Sequence, residues 1–300
     1  MRRVQFQREV ALQVAAPDPS PEFELLGSAT VSSNVETTAA EIRQQLGVSL
    51  TEQFGWTDEY AAFNNWRRAV EGLGSLVFHA ERVSLGELRG FSICHSRLPI
   101  VAVNGGDSVN GRTFTLLHEL GHLLLNRAGT CDLEELGTTR TDDQRVESFC
   151  NALAASILLP ADAMRESFGL STSPQPQSWS DELLQQASRR FRVSREAVLR
   201  RLVTLGAASF GFYLAVRQRL LEQYAVADAK RKERSGTGGP PPARLAIRRV
   251  GPSFARLMFS AYDREEITTN DLSEYLGVRV KQLGKVRDLA FATTDEGGGE

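Results

Sequence analysis

Two histidines one helical turn apart, inside an apolar segment, limit the folds that are open to this chain. The segment Thr115–Leu125 reads TLLHELGHLLL and contains His118 and His122. Residues at positions i and i+4 share one face of a helix, so both imidazoles can point toward a single metal ion. Glu119 follows the first histidine directly, which places its carboxylate near that ion without requiring it to bind. In this H-E-x-x-H arrangement the glutamate is the general base for the water that zinc activates.

The surroundings of the motif favour a metal site over a chance pairing. Phe114 and the flanking leucines predict a helix that is buried on most sides. Three ionisable groups on one face of such a helix are costly unless something compensates them. A divalent cation does so, because it requires neutral imidazoles and a nearby anionic carboxylate. The alternative is two core histidines satisfied by backbone carbonyls, with Glu119 in a salt bridge.

Two imidazoles do not complete the predicted site. A catalytic zinc ion usually has three protein ligands and a water. A third histidine shortly after the motif is excluded, because Leu125 and Ala128 stand where the extended H-E-x-x-H-x-x-G-x-x-H pattern has Gly and His. His79 and His95 lie upstream at spacings that demand no ligand role. A carboxylate from a later helix is therefore the better candidate.

A helix that could supply this carboxylate is predicted over Asp142–Leu159 from its apolar periodicity. Glu147 and Asn151 lie one turn apart beside the apolar stripe. An acid followed one turn later by an amide suits a metal ligand with a hydrogen-bonding support. On spacing alone, a solvated Glu147 is an equal alternative. Glu134 and Glu135 are rival carboxylates, but they lie in a polar connection without a clear helical face.

Short apolar runs before the motif and helical periodicity after it predict an α+β fold. Runs at Leu76–His79, Gly90–Cys94 and Pro99–Asn104 predict a small, mainly antiparallel sheet. The motif helix is expected to begin near Arg112, so the sheet should pack on zincin-type helices. Large aromatic residues at helical spacing between Tyr60 and Leu73 predict a further helix anchored on the sheet.

Caps and stops predict the other helices. Thr37 or Thr38 is expected to cap a helix that ends at Leu46, before Gly47. Residues 161–180 include two prolines and are expected to form a loop. Further helices are predicted at 181–191, 194–205, 210–232, 253–262, 271–276 and 280–291. Thr269 is expected to cap the helix at 271–276.

Length, charge and cysteine content restrict the class of protein. At 300 residues the chain can bury a sizeable core, and one or two domains are expected. A net charge of -2 gives no overall attraction to nucleic acid. The three cysteines are widely spaced and form no C-x-x-C pair, which fits a reducing setting. Since the sequence also has no signal peptide and no bilayer-spanning run, we expect a soluble cytoplasmic protein without a membrane partner.

Four segments together match a known pattern. They are Arg112–Leu125, Val146–Ala155 with the following Leu158-Leu-Pro160, Phe63–Arg68 and Arg89–Ser92. In these segments the chain resembles the ImmA/IrrE family of metallopeptidases. The resemblance covers roughly residues 40–205 and depends on two spaced motifs, which makes it specific.

The resemblance implies His118, His122 and Glu147 as metal ligands and Glu119 as the catalytic base. The expected cofactor is Zn²⁺, with Mn²⁺ as the alternative. Members of this family are often proteases that cleave a helix-turn-helix repressor and thereby release genes of mobile elements or stress responses. The resemblance therefore implies a zinc-dependent endopeptidase whose substrate is a protein regulator. The alternative is a non-proteolytic zinc-containing regulator or a toxin–antitoxin component that acts by binding protein or DNA.

Composition and the resemblance together divide the chain into four segments. Residues 37–232 are the predicted ImmA/IrrE-like metallopeptidase domain with a helical extension. Residues 1–36 are weakly patterned and are expected to be an N-terminal arm, without the DNA-binding unit of many longer relatives. Gly and Pro residues predict a linker at 233–244, and residues 245–300 a small helical C-terminal region.

The C-terminal region offers the only place where the sequence would allow direct contact with nucleic acid. Two short helices around Gly277 resemble a helix-turn-helix, and the second carries Lys281, Lys285 and Arg287. Short helical pairs are far more common than DNA-binding ones. We therefore expect a packing role for this pair, with DNA contact as the alternative.

Overall fold

The fold is a small sheet surrounded by helices. The computed structural model describes residues 2–15, 22–81, 83–127, 130–131, 141–234 and 240–292. The α+β class predicted from the sequence is confirmed. No helix in these ranges is both long enough and apolar enough to cross a lipid bilayer.

The bounds of the elements follow in chain order. The helices are α1 (Arg2–Val14), α2 (Val35–Gln45), α3 (Leu50–Gly55), α4 (Glu59–Gly72), α5 (Val109–Leu124), α6 (Thr141–Leu158), α7 (Ala161–Phe168), α8 (Asp181–Phe191), α9 (Arg195–Thr204), α10 (Phe210–Arg234), α11 (Pro242–Val250), α12 (Pro252–Asp263), α13 (Thr269–Leu276) and α14 (Leu283–Phe291). The strands are β1 (Leu76–Ala80), β2 (Gly90–Ile93), β3 (Ile100–Asn104) and β4 (Thr130–Cys131).

The sheet has the strand order β1-β3-β2-β4 and is mixed. Strands β2 and β3 form the expected antiparallel hairpin, with Phe91 opposite Ala102. Strand β4 pairs antiparallel with β2, at Gly90 and Phe91. Strand β1 runs parallel to β3, with His79 opposite Val103. The sheet is therefore mainly antiparallel, as predicted, with one parallel pair at the β1 edge.

Both faces of the sheet are covered, because alternate residues of each strand enter different cores. Val77, Val101 and Val103 belong to a core formed with helices α2 and α4 to α10. Phe78 and Ile100 belong to a second core formed with α1 and α11 to α14. The C-terminal helices thus pack directly on the sheet that supports the H-E-x-x-H helix.

Helix α5 lies in the middle of the first core. Leu116, Leu117, Leu120, Leu123 and Leu124 are all fully buried, and the helix packs against α4, α6, β2 and β3. A helix that is apolar on nearly every side has no stable position at a surface, so it is driven into the interior. The burial predicted from the flanks of the motif is confirmed.

The N-terminal residues differ from the expectation of a weakly patterned arm. Arg2–Val14 forms helix α1, in which Val10 and Ala11 are buried against the C-terminal helices. Its apolar stripe is interrupted by polar side chains, which hid the helical pattern. Two of these polar side chains stabilise the packing of α1 by hydrogen bonds, because Gln7 donates to the carbonyl of Tyr275 and Arg8 to that of Leu98.

Several other local predictions were wrong. Asn34, not a threonine, caps α2 by accepting from the amide of Thr37, and Thr268, not Thr269, caps α13. Part of the predicted 161–180 loop is helix α7, which starts directly after Pro160. Pro fixes a backbone angle suited to a helix start, so it marks a boundary between α6 and α7 and not the beginning of a loop. Helices α3 and α11 were not predicted. Residues 235–239 of the predicted linker lie outside the described residues.

A buried ion pair joins α4 to the C-terminal helices. Arg67 and Glu71 lie 3.1 Å apart with side chains only 4% and 1% exposed. Arg67 donates to the carbonyls of Val77 in β1 and Arg248 in α11, and Glu71 accepts from the amide of Ser253 in α12. The pair therefore anchors the second core to the first.

We expect Glu71→Gln to lower the free energy of unfolding by about 3–5 kcal/mol, because it leaves the Arg67 cation buried without its partner. Denaturant unfolding measures this change. Asp162→Asn is the control, since it breaks a helical ion pair in which the carboxylate is 98% exposed, and it should leave unfolding unchanged. Equal, small effects of both substitutions would contradict the anchoring role.

Candidate metal centre

Helix α5 presents the two motif histidines to the same point. Ser108 caps the helix by accepting from the amide of Gly111 at 3.0 Å. His118 and His122 are each 1% exposed, and their Nε2 atoms lie 3.1 Å apart. The spacing of one helical turn thus places both ring nitrogens side by side, as the sequence predicted.

Helix α6 brings Glu147 to these nitrogens. Its Oε2 lies 3.1 Å from His118 Nε2, and its Oε1 lies 3.1 Å from His122 Nε2. Ligand atoms in a tetrahedral zinc site are about 3.3 Å apart, because each lies about 2.0–2.1 Å from the ion. The three side chains can offer ligand atoms that all lie within 4.8 Å of one another. Their type and spacing fit a divalent cation.

A close approach of α5 and α6 makes this convergence possible. A Cβ atom at Gly121 would lie 3.1 Å from Cys150 Sγ and 3.2 Å from Cys150 Cα. Only a residue without a side chain lets the two helix backbones come this near. Gly121 lies within the motif itself, and Cys150 follows Glu147 by less than one turn, so this contact determines how far the carboxylate reaches.

Hydrogen bonding and charge prepare the ligand atoms. His118 Nδ1 lies 3.1 Å from Asn151 Oδ1, an acceptor that holds the ring hydrogen on Nδ1 and leaves the Nε2 lone pair for a metal. In the metal-free site, burial raises the pKa of Glu147, but hydrogen bonds and charge from the two imidazoles outweigh it and hold that pKa at about 2. The carboxylate is therefore ionised, as a metal ligand must be. A metal ion would replace the Nε2 hydrogens of these bonds.

Glu119 lies beside these ligands and is fully buried. Neither of its carboxylate oxygens has a hydrogen-bond partner among the described residues. Burial raises its pKa well above the usual value, and the charge of Glu147 adds to this, while the nearby Ser92 hydroxyl opposes it. A buried carboxylate without a partner is costly. Its placement next to a cation site removes much of that cost once the cation is bound.

Strand β2 covers Glu119 from the other side. A Cβ atom at Gly90 would meet the side chain of Thr115 at 2.3 Å and Glu119 Oε1 at 3.2 Å. Sequence reasoning did not single out Gly90 and Ser92 as parts of the site. Both residues lie in the Arg89–Ser92 segment, which is part of the family pattern and could have pointed to them. Only the packing of β2 on α5 shows why position 90 needs a residue without a side chain.

The other candidates from the sequence are not brought to this site by any contact in the described part of the chain. His79 packs against Phe63, with ring centroids 5.4 Å apart, and accepts from Arg248. His95 is only partly buried and lies near Arg8. The rival carboxylates at 134 and 135 lie outside the described residues.

Comparison with known families agrees with this geometry. Residues 73–203 match the family model Peptidase_M78, the IrrE N-terminal-like domain. The match contains both the H-E-x-x-H helix and α6. Residues 73–203 are therefore similar to a metallopeptidase domain of the ImmA/IrrE type, and the resemblance found in the sequence is confirmed for that segment. A search of curated proteins finds no match to the chain.

We expect Gly121→Ala to weaken divalent-cation binding by about tenfold or more, because the added methyl pushes α6 and its carboxylate away from the imidazoles. The same overpacking should lower the free energy of unfolding by about 1–3 kcal/mol. Chelator competition and denaturant unfolding measure the two effects. Gly72→Ala is the control, since a Cβ atom there meets nothing within 4 Å. Unchanged cation affinity in Gly121→Ala would show that the helix contact does not position the ligands.

His79 yields a prediction for the pH dependence of stability. Burial, followed by the charges of Arg67, Arg112 and Arg248, holds the pKa of His79 well below its ordinary value. Below about pH 6.5 the imidazole is protonated in the unfolded chain but stays neutral in the folded chain. The free energy of unfolding therefore decreases as the pH falls below about 6.5.

We expect His79→Gln to reduce the loss of stability between about pH 7 and pH 5.5, since the variant has no imidazole to protonate. Denaturant unfolding of metal-free protein at both pH values measures the difference. His95→Gln is the control, because its imidazole is less buried and should contribute less. Parallel pH profiles for His79→Gln and the unsubstituted protein would contradict the prediction.

Proposed function

We propose that the protein is a zinc-dependent endopeptidase in which His118, His122 and Glu147 hold the metal and Glu119 is the general base. The observation that carries this proposal is the convergence of the three ligand atoms, all within 4.8 Å of one another, beside a buried free carboxylate. A peptidase-family domain over residues 73–203 supports it. Two imidazoles and a carboxylate suit Zn²⁺ well, with Mn²⁺ as the alternative.

The arrangement divides the chemical work between the ligands and Glu119. When bound, zinc supplies a Lewis acid that polarises the scissile carbonyl and lowers the pKa of a neighbouring water. Glu119 accepts the proton of the attacking water and passes it to the leaving amine. Burial raises the pKa of Glu119, which makes its carboxylate a stronger base toward the attacking water than an exposed glutamate would be.

Burial of the ligands also orients the reaction. His118 and His122 are shielded by the core, whereas the side chain of Glu147 is 21% exposed. A substrate would therefore approach from the side of Glu147. Within the described residues β4 pairs only with Gly90 and Phe91 of β2. The remaining part of β2 lies next to Glu119 and can pair with an extended peptide, which would align a carbonyl for attack.

The proposed substrate is a protein regulator, specifically a helix-turn-helix repressor whose cleavage in the cytoplasm releases gene expression in a stress or mobile-element response. This substrate follows from the family resemblance. A non-proteolytic regulator or toxin–antitoxin component would need a binding surface instead. The C-terminal pair α13 and α14 gives that alternative little support. Arg287 donates to both carboxylate oxygens of Asp263 at 2.9 and 2.7 Å, so its guanidinium group is already paired and not free to contact DNA.

We expect Glu119→Gln to retain one metal ion per chain and to lose cleavage by a factor of about 10²–10⁴, because the amide cannot accept the proton. The assay incubates the protein with helix-turn-helix repressors from the same genome and identifies the products by mass spectrometry. His118→Ala is the comparison, since it should lose both metal and cleavage. Full cleavage by Glu119→Gln would exclude the proposed base, and cleavage that persists in a chelator would exclude the metal.

A further inference from the structure

Four basic side chains gather at the N-terminal end of α5, away from the metal ligands. This arginine cluster consists of Arg67, Arg112, Arg248 and His79. Phe63 lies at its centre, with Arg112 Cζ 5.2 Å from the ring centroid and the His79 ring 5.4 Å from it. Arg112 precedes His118 by six residues, which is about 9 Å along the helix axis.

No acid near the cluster is bonded to Arg112 within the described residues. Glu71 is paired with Arg67 and accepts from the amide of Ser253. Asp107 accepts from the amide of Ser108 through Oδ1, while its Oδ2 lies 3.7 Å from Arg89 without a hydrogen bond. Arg112 is only 4% exposed, yet the described residues give it no hydrogen bond or ion pair, and its Nε is buried without a partner. Burial and the charge of Arg248 lower the pKa of Arg112 to about 10, and nearby Tyr60 and Asp107 oppose this only in part.

His79 adds a second donor without an acceptor. Arg248 Nε donates to His79 Nδ1 at 3.4 Å, so the neutral imidazole carries its hydrogen on Nε2. That atom is buried and has no partner among the described residues. Burial, followed by the charges of the surrounding arginines, lowers the pKa of His79, which keeps this neutral form. Buried N–H groups without acceptors are rare, because each costs the desolvation energy of a donor.

We propose that the arginine cluster is a binding site for a phosphate-type oxyanion. Such an anion accepts hydrogen bonds on several oxygens and neutralises guanidinium groups, which supplies what Arg112 and His79 lack. Arg248 and Tyr60 are exposed and form the outer rim through which the anion enters. The first turn of α5 adds a favourable helix dipole. This site does not depend on the proposed peptidase function.

Its position gives the bound anion a structural effect. Arg248 belongs to α11, whereas His79 lies in β1 and Arg112 in α5. An anion held by all three joins a C-terminal helix to the sheet and to the H-E-x-x-H helix. Either free phosphate or the phosphate group of a small monoester supplies this chemistry.

The test measures binding of inorganic phosphate and of glycerol 3-phosphate to the full chain by calorimetry and thermal unfolding, with sodium chloride at matched ionic strength as the reference. We expect one anion per chain and a rise in the melting temperature of a few degrees at saturation, beyond that in chloride. Equal affinity for both compounds identifies free phosphate as sufficient, and tighter binding of the ester identifies a monoester ligand. No binding of either beyond chloride overturns the proposal.

Variants separate the site from general charge effects. Arg248→Gln should weaken phosphate binding by about tenfold or more, the loss of a charge-assisted hydrogen bond. Arg244→Gln is the matched control, because Arg244 is an exposed arginine one turn earlier on the same helix, and it should bind phosphate normally. Arg112→Met should raise the melting temperature without phosphate and abolish the phosphate-dependent increase. Equal phosphate affinity in Arg248→Gln and the unsubstituted protein would overturn the proposal.

Discussion

The contact between α5 and α6 at Gly121 and Cys150 is the constraint on which the candidate metal centre depends. It brings the backbones of the two helices so close that a single methyl group would not fit without displacement. Because of this approach, one carboxylate on α6 lies 3.1 Å from both imidazoles on α5. The rest of the first core holds the same two helices against the sheet and prevents them from separating. The packing of the two helices therefore positions the three candidate ligands before any metal binds.

Helix α5 is buried along its length, and ionisable groups of opposite charge lie on or beside its two halves. Toward its C-terminal half, Glu119 and Glu147 present acceptors to a point suited to a cation. Near its first turn, Arg112 and His79 present donors that lack acceptors. The helix dipole opposes these residue charges but favours the partners they would bind, an anion at the N-terminus and a cation toward the C-terminus. A core helix can carry so many charged groups only where bound partners compensate them, since burial of an unpaired charge costs several kcal/mol.

The second core makes the C-terminal helices part of the body that supports the site. Arg67 connects β1 and α11 through backbone carbonyls, and Glu71 holds the start of α12. The domain boundaries drawn from composition stay a prediction, but the sheet is shared between both cores. Helices α11 and α12 thus contact the same sheet that supports α5.

Local sequence determined which residues could do chemistry, and tertiary packing decided which of them meet. The i, i+4 spacing of His118 and His122 is a property of one helix, so it was predictable, as was the burial that its leucine flanks demand. The α+β class and the β2–β3 hairpin also follow from short-range patterns. Glu147 and a solvated role were equal alternatives on spacing, because nothing local tells how two helices separated by an intervening segment will pack. The same holds for α1, for Ser92 beside Glu119 and for the arginine cluster, since contacts between distant segments depend on the shape of a core that only the folded chain creates.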